Sequence, residues 1–247
     1  MLDEVERRDR RISHLIHDCA SRFYLFSPSW FPPLTPIEQA RLGRILKRAM
    51  HQCDRIVDIA ASEPPTPSEY YRCISDGPYE LPSALLSPGD KVSKHNPLAN
   101  PKARPKQIEY IQSLSLEDIT ELYILVNTVE NHKLTFPFRP VWTGNEYRTV
   151  IDECVLRHGT WFLWRFLPEC GYYEADWSTN IISLAKLEMQ HWELGSFSEP
   201  AGLKMTLIGR FRDLLGGGHG DVLLKKIMLA VKETLLGVEE KGKRVKA

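Results

Sequence analysis

The sequence predicts an all-α fold, an irregular helical bundle of about seven to nine helices with a long proline-rich insertion. Two observations lead to this prediction. Apolar residues recur at the 3.6-residue spacing of a helix over most of the chain. Nine of the 17 prolines lie between residues 62 and 105. Because proline lacks an amide donor and restricts the residue before it, this middle segment cannot form one long helix.

The proline-rich segment divides the chain into four parts, which we expect to form one folded unit. They are an N-terminal helical pair (1–61), the irregular segment (62–112), a C-terminal helical bundle (113–238) and a charged tail (239–247). Within the irregular segment, residues 89–106 are polar and basic, and we expect them to be mobile.

The composition is that of a globular protein without net charge. Lysine and arginine number 32, as do aspartate and glutamate, so there is no global field to attract nucleic acid or an anionic membrane. The N-terminus is densely charged, and no apolar run reaches the ~18–20 residues that span a bilayer. The five cysteines lie far apart, which favours free thiols in a reducing compartment. We therefore expect a cytoplasmic or nuclear protein with no membrane partner and no nucleic-acid partner.

The N-terminal helical pair is predicted from two apolar stripes. The first helix covers residues 3–26, with its stripe at Ile12, Leu15, Ile16, Cys19, Phe23 and Phe26. The second begins at Thr35, Pro36 and Glu38, which form a capping-box pattern, and it ends near Ala61. Its predicted inward face consists of Ile37, Ala40, Ile45, Leu46, Ala49, Cys53, Ile56, Val57 and Ala60.

The C-terminal bundle contains six predicted helical segments. Ser115 and Asp118 form a second capping signal for a helix that ends near His132. Gly159 ends the next helix, and the following residues are apolar on nearly every face, so we expect them to be buried. The helix before Gly159 covers about 144–158, and the apolar one after it covers about 160–167. The three later helices cover about 177–194, 199–215 and 221–236, and the last of them has Asp221 as its cap and Gly237 as its stop.

The stretch from Pro33 to Ile45, with the sequence PLTPIEQARLGRI, resembles a helix start that recurs in uncharacterised helical proteins of filamentous fungi, some of them F-box-like. The similarity covers less than a tenth of the chain, which has no recognisable F-box helix set near its N-terminus. The resemblance implies a helical protein with an adaptor role, and it transfers no functional residue.

The triplet Arg157-His158-Gly159 also occurs in histidine phosphatases, where histidine accepts a phosphoryl group and arginine binds the phosphate. In those enzymes the triplet follows a strand at the start of an α/β domain, whereas here it follows a helical pattern. We therefore interpret it as a helix C-terminus, where two basic side chains suit the helix dipole and Gly159 suits the turn.

Three further patterns carry residue types used in chemistry. Potential zinc ligands lie on both N-terminal helices, at His14, His17, Cys19, His51 and Cys53, but both cysteines fall on apolar stripes. Glu188 and His191 have the spacing of di-iron bundles without the second copy that such a site needs. The glycine-rich run 216–220 lacks the ending of a phosphate-binding loop and is predicted to be a turn between helices. The sequence therefore predicts no metal, no cofactor and no catalytic residue.

The leading functional hypothesis is a non-enzymatic interaction or adaptor protein whose partner is another protein. It rests on aromatic side chains in partly extended segments, at Trp30, Phe31, Tyr70, Tyr71 and Tyr79. The alternative is a small helical enzyme or ligand-binding bundle, with phosphate or metal chemistry at a site assembled from Arg157, His158, Glu188 and His191. A pocket lined by converging His, Arg and Glu would favour the alternative, and an exposed aromatic patch would favour the adaptor.

Overall fold

The computed structural model describes residues 2–17, 34–62, 103–132, 145–167, 182, 185 and 202–237. These residues are 90% helical and contain no strand, which confirms the all-α prediction. The described ranges hold seven helices: α1 (Leu2–His17), α2 (Pro36–Ala61), α3 (Ala103–Ser113), α4 (Leu116–His132), α5 (Asn145–Phe166), α6 (Leu203–Leu214) and α7 (Gly220–Leu236). None of them is long and apolar enough to cross a membrane.

Helix α2 lies at the centre of the bundle. It packs against α1, α3, α4, α5 and α7, while α6 packs against α3, α4 and α5. The apolar face of α2 is buried from Leu42 to Ala60, and the rings of Phe162, Phe166 and Phe211 fill the core around it. Each such side chain contributes roughly 1.5–3 kcal/mol when it leaves water, so the packing of this face dominates the stability of α2.

The predicted helix ends are confirmed where a side chain forms the cap. Thr35 Oγ1 accepts a hydrogen bond from Glu38 N at 3.4 Å, and Glu38 Oε2 accepts one from Thr35 N at 2.7 Å. Ser115 Oγ likewise accepts from Asp118 N at 3.2 Å at the start of α4. Gly237 ends α7 with φ 63°, in the left-handed conformation that glycine adopts readily.

Helix α3 corrects the prediction for the irregular segment 62–112, because residues 103–112 of that segment are helical. Its single proline, Pro105, lies in the first turn, where the amide has no partner within a helix in any case. Gln107 and Ile111 are buried, and Gln107 Nε2 donates to Ile56 O at 3.0 Å. The segment from 103 onward is therefore helical and attached to α2, and residues 63–102 lie outside the described part of the chain.

Three end-of-helix predictions are wrong in detail. Ile37 and Ala40 are exposed rather than inward-facing, since periodicity locates the apolar face of α2 but not how far its neighbours extend along it. At α7 the N-cap residue is His219, without a side-chain bond, and Asp221 lies exposed in the first turn. Its carboxylate still favours that end of the helix through the dipole.

The turn between α6 and α7 is confirmed. Gly216, Gly217, Gly218 and Gly220 all have positive φ, and Lys226 Nζ donates to the carbonyl oxygens of Leu215 and Gly217 at 2.8 and 3.1 Å. Of the helix predicted over 177–194, only Ile182 and Ala185 are described, and both are helical and buried. Residues 18–26 of the first predicted helix and the tail 239–247 lie outside the described residues.

Candidate functional site

Helix α5 is broken at Gly159, which has φ 57° and ψ −142°, a conformation that is essentially restricted to glycine. The helix resumes at Thr160, whose backbone N donates to Asp54 Oδ1 at 2.8 Å and whose Oγ1 lies 2.8 Å from Asp54 Oδ2. Asp54 belongs to α2, so a neighbouring helix caps the second half of α5. A Cβ at Gly159 would overlap the Asp54 carboxylate, so the close approach also requires glycine there.

A second carboxylate acts in the same way on α6. Gly202 precedes this helix and provides no side-chain cap. Glu153 Oε1 instead accepts from the backbone N of Lys204 at 2.8 Å, and Glu153 Oε2 accepts from Arg157 Nε at 2.9 Å. A Cβ at Gly202 would overlap this carboxylate. We call Asp54, Glu153, Arg157, Thr160 and Lys204, with the adjacent Asp152, Arg104 and His158, the buried cluster.

The electrostatics of the buried cluster are set by desolvation. Burial, and next the positive charge of Arg157, lower the pKa of Arg104 to about 9, while Glu153 opposes this shift. Burial, and then Arg157 and Arg104, lower the pKa of His158 to about 3. The imidazole is therefore neutral at pH 7. Its Nδ1 atom has no hydrogen-bond partner among the residues that the structure describes.

These positions decide how the Arg157-His158-Gly159 triplet is interpreted. The predicted turn at Gly159 is confirmed, but the predicted dipole role of His158 is wrong because the neutral ring carries no charge. Arg157 and His158 are only 2% and 4% exposed, and Lys204 Nζ closes the cluster by donating to Asp152 Oδ2. The cluster therefore anchors α2, α5 and α6 to one another, with Arg157 and His158 in the core and the Lys204 side chain 25% exposed at its edge.

The structure brings together none of the other predicted site residues that lie in its described ranges. The proposed partner-binding residues Trp30, Phe31, Tyr70, Tyr71 and Tyr79 lie outside the described residues, as do Glu188 and His191. Helices α1 and α2 do pack together, but Cys53 is in the core and His51 Nε2 lies 3.6 Å from Asp9 Oδ1. Within the described ranges, no three His, Cys, Asp or Glu side chains converge as a metal site would require.

Among the residues that the structure describes, an accessible candidate site is a cleft of about 620 Å³ between α2, α4 and α7. Its lining residues are Arg41, Arg44, Ile45, Arg48, Leu116, Glu117, Thr120, Ala230, Glu233, Thr234 and Gly237. Ile37, Arg41, Arg44 and Arg48 follow one another along α2 at spacings of four, three and four, so they form one row on its surface, which we call the α2 stripe.

Two of the three arginines in the α2 stripe are engaged by the protein itself. Arg48 Nε donates to Glu121 Oε1 and Oε2 at 2.8 and 3.0 Å, and Arg48 Nη2 lies 3.4 Å from Glu117 Oε1. The Glu121 carboxylate is buried, which raises its pKa, and the bonds from Arg48 oppose that shift. Arg41 Nη1 donates to Leu235 O at 3.2 Å, near the C-terminus of α7, where positive charge is favourable.

Arg44 differs from its two neighbours. Its side chain is exposed, and it makes no hydrogen bond or ion pair with any residue in the described ranges. The cleft therefore presents one uncommitted guanidinium, with the hydroxyl-bearing residues Thr120 and Thr234 also in the lining. This site was not predicted from the sequence, because charged residues on a helix usually form its solvated face. The spacing of Arg41, Arg44 and Arg48 on one face was the signal that could have revealed it.

Comparison of the chain with models of protein families, with curated proteins and with solved structures gave no significant match.

Proposed function

We propose that this chain is a non-enzymatic binding protein, an adaptor that holds another protein in the cleft between α2, α4 and α7. The observation that carries the proposal is the α2 stripe. Ile37 is 74% exposed at one end of the stripe, and the uncommitted Arg44 lies two turns further along. Arg44 lines the cleft, and Ile37 lies on the same row one turn of α2 beyond the lining residue Arg41. Arginine is enriched among the residues that carry binding energy at protein interfaces, and an exposed apolar side chain next to a cleft extends the surface that a partner can cover.

The chemistry of the buried cluster also supports a binding role over an enzymatic one. Catalysis by acid, base or nucleophile needs side chains that reach a substrate. Asp54 and Glu153 cap helices inside the core, and His158 is neutral and buried. These groups are engaged in holding helices together. The two described cysteines, Cys53 and Cys154, are buried in the core as thiols, which suits the reducing compartment that we propose, the cytoplasm or nucleus.

A ligand-binding bundle for a small anion is the second candidate, and the size of the cleft favours it. A volume of about 620 Å³ falls within the range of roughly 300–1,000 Å³ that small-molecule sites occupy. A thermal-shift screen against phosphorylated metabolites tests this candidate, because a ligand at about 100 times its Kd stabilises the fold by about 2.7 kcal/mol. A metabolite whose shift disappears in Arg44→Ala would favour this second candidate over the adaptor.

The adaptor proposal is tested by filling the cleft. Thr234 lines it and is partly exposed, so Thr234→Trp places an indole in the binding space without removing core packing. Lys232→Trp introduces the same ring at an exposed position of α7 outside the cleft and is the matched control. We expect quantitative affinity capture with mass spectrometry to return a partner that Thr234→Trp loses and Lys232→Trp keeps. Equal recovery by both variants, with unchanged melting temperatures, would contradict the proposal.

A further inference from the structure

We infer that the segment held by the cleft and by the end of the α2 stripe next to it is an acidic, amphipathic peptide, with a carboxylate bound by Arg44 in the cleft and an apolar side chain resting on Ile37 just outside it. This inference rests on the proposed function and specifies the chemistry of its partner. Ile37, Arg41, Arg44 and Arg48 lie in one row, and only the central guanidinium is left without a protein partner in the described ranges.

The uncommitted guanidinium selects the sign of the partner's charge. Arginine carries its donors in a planar fork that matches a carboxylate, so one Asp or Glu of the partner can accept two parallel hydrogen bonds. A basic partner side chain placed at Arg44 would meet like charge.

The acidic residues of the lining favour a protein segment over a polyanion. Glu117 and Glu233 lie in the same cleft as the three arginines, so the positive charge of the site is largely balanced. Nucleic acid gains its affinity from many phosphate contacts, which this mixture of signs does not offer. An amphipathic peptide needs only one or two carboxylates, and it can place a basic side chain near Glu117 or Glu233.

The spacing along the α2 stripe sets the pattern that the peptide carries. Ile37 and Arg44 are seven residues apart, which is about 10 Å along a helix axis at about 1.5 Å per residue. A helical peptide spans that distance with an apolar residue and an acidic residue about two turns apart. An extended peptide spans it within about three residues, at roughly 3.3 Å each.

The test is a selection from a displayed library of random peptides on the full-length protein, with counter-selection on Thr234→Trp. We expect the enriched peptides to pair an acidic residue with an apolar residue at one of these two spacings. By fluorescence anisotropy, Arg44→Glu should weaken their binding at least about tenfold, a loss of 1.4 kcal/mol or more. Lys47→Glu makes the same charge change at an exposed position of α2 outside the cleft, and it should change the affinity by less than about twofold.

Three results would overturn the inference. The first is enrichment of basic or uncharged peptides, or a failure to enrich any peptide whose binding depends on the cleft. The second is peptide binding that survives Arg44→Glu. Displacement of the peptides by millimolar inorganic phosphate would also overturn it, because the cleft would then bind a small anion. Failure of this inference is distinct from failure of the proposed function. A partner that Thr234→Trp loses and Arg44→Glu keeps leaves the adaptor role intact with a different recognition chemistry.

Discussion

At the scale of single residues, the core of this protein depends on two pairs of a glycine and a carboxylate. Gly159 admits the carboxylate of Asp54, and Gly202 admits that of Glu153. Each carboxylate accepts a hydrogen bond from a backbone amide at the start of a helical segment. Such amides have no partner within their own helix, so the bonds satisfy donors that would otherwise be buried at a cost of about 1–3 kcal/mol.

Gly159→Ala should destabilise the fold strongly. The φ of 57° with ψ −142° is unfavourable for any residue with a side chain, and the new methyl group would also overlap Asp54. We expect a loss of about 3 kcal/mol or more in the free energy of unfolding, measured by urea denaturation followed by circular dichroism.

Gly209→Ala is the matched control for that substitution. Gly209 lies inside α6, and a Cβ there would have no atom within 4 Å. Alanine is favoured over glycine in a helix, so we expect a gain of about 0.5–1 kcal/mol. A loss of equal size in both variants would show that the strain assigned to Gly159 is not what limits stability.

His158 should make the protein sensitive to acid. Its pKa is about 3 in the fold, against about 6.5 in the unfolded chain, so between these values the unfolded state binds the proton that the folded state excludes. The contribution of the neutral His158 ring to the free energy of unfolding is fully present above pH 6.5. Below that pH it is lost by about 1.4 kcal/mol per pH unit. His158→Gln should flatten this slope in denaturation measured from pH 7 to pH 4.

The comparison with His158→Gln is needed because Asp54 titrates with the opposite sign. Burial raises the pKa of Asp54, chiefly against the bonds from Thr160, so its own contribution grows as pH falls through the folded pKa. Wild type and His158→Gln share the contribution of Asp54, so the difference between their stability profiles isolates the contribution of the imidazole. Parallel stability profiles for wild type and His158→Gln would contradict the assignment.

At the scale of elements, α6 begins without a cap of its own and depends on Glu153 of α5. Glu153→Ala removes the acceptor of Lys204 N and one partner of Arg157. We expect a loss of about 3–5 kcal/mol, because a charged network in the core is broken from one side. Hydrogen exchange should show faster exchange of the first-turn amides of α6 in this variant.

Two comparisons make the Glu153 experiment specific. Glu153→Gln keeps an acceptor oxygen and should retain most of the protection in α6. Ser115→Ala removes an ordinary exposed cap, that of α4, and should cost about 1 kcal/mol with no effect on α6. If Glu153→Ala and Ser115→Ala gave equal losses, Glu153 would be no more than a surface cap.

The elements also show which parts of the fold were predictable from sequence. The caps of α2 and α4 were predicted because Thr35 with Glu38, and Ser115 with Asp118, are close in sequence. Helix α3 was missed because Pro105 suggested irregular structure, although a proline in the first turn is compatible with a helix. Its burial depends on contacts such as Gln107 with Ile56, 51 residues apart, which local patterns do not contain.

At the scale of the whole molecule, the candidate site was less predictable than the fold. Arg157 and His158 were predicted at a helix end because the triplet follows a helical pattern and Gly159 suits a turn. Local patterns do not contain their burial, nor the bond that Thr160, just after the turn, makes with Asp54 more than a hundred residues earlier. The sequence does not distinguish Arg44 from the other exposed basic residues of helix α2. The α2 stripe becomes one wall of a cleft only where α4 and α7 approach it. Within the described residues, Arg41 and Arg48 then have protein partners and the Arg44 guanidinium has none.

Binding in the cleft between α2, α4 and α7, and not at the buried cluster, can be tested by hydrogen–deuterium exchange of the full chain with and without a selected acidic peptide. We expect slower exchange at residues 41–48, 116–120 and 230–237, with no such change in the Arg44→Glu variant. Protection confined to other parts of the chain, or centred on Arg157 and His158, would contradict it.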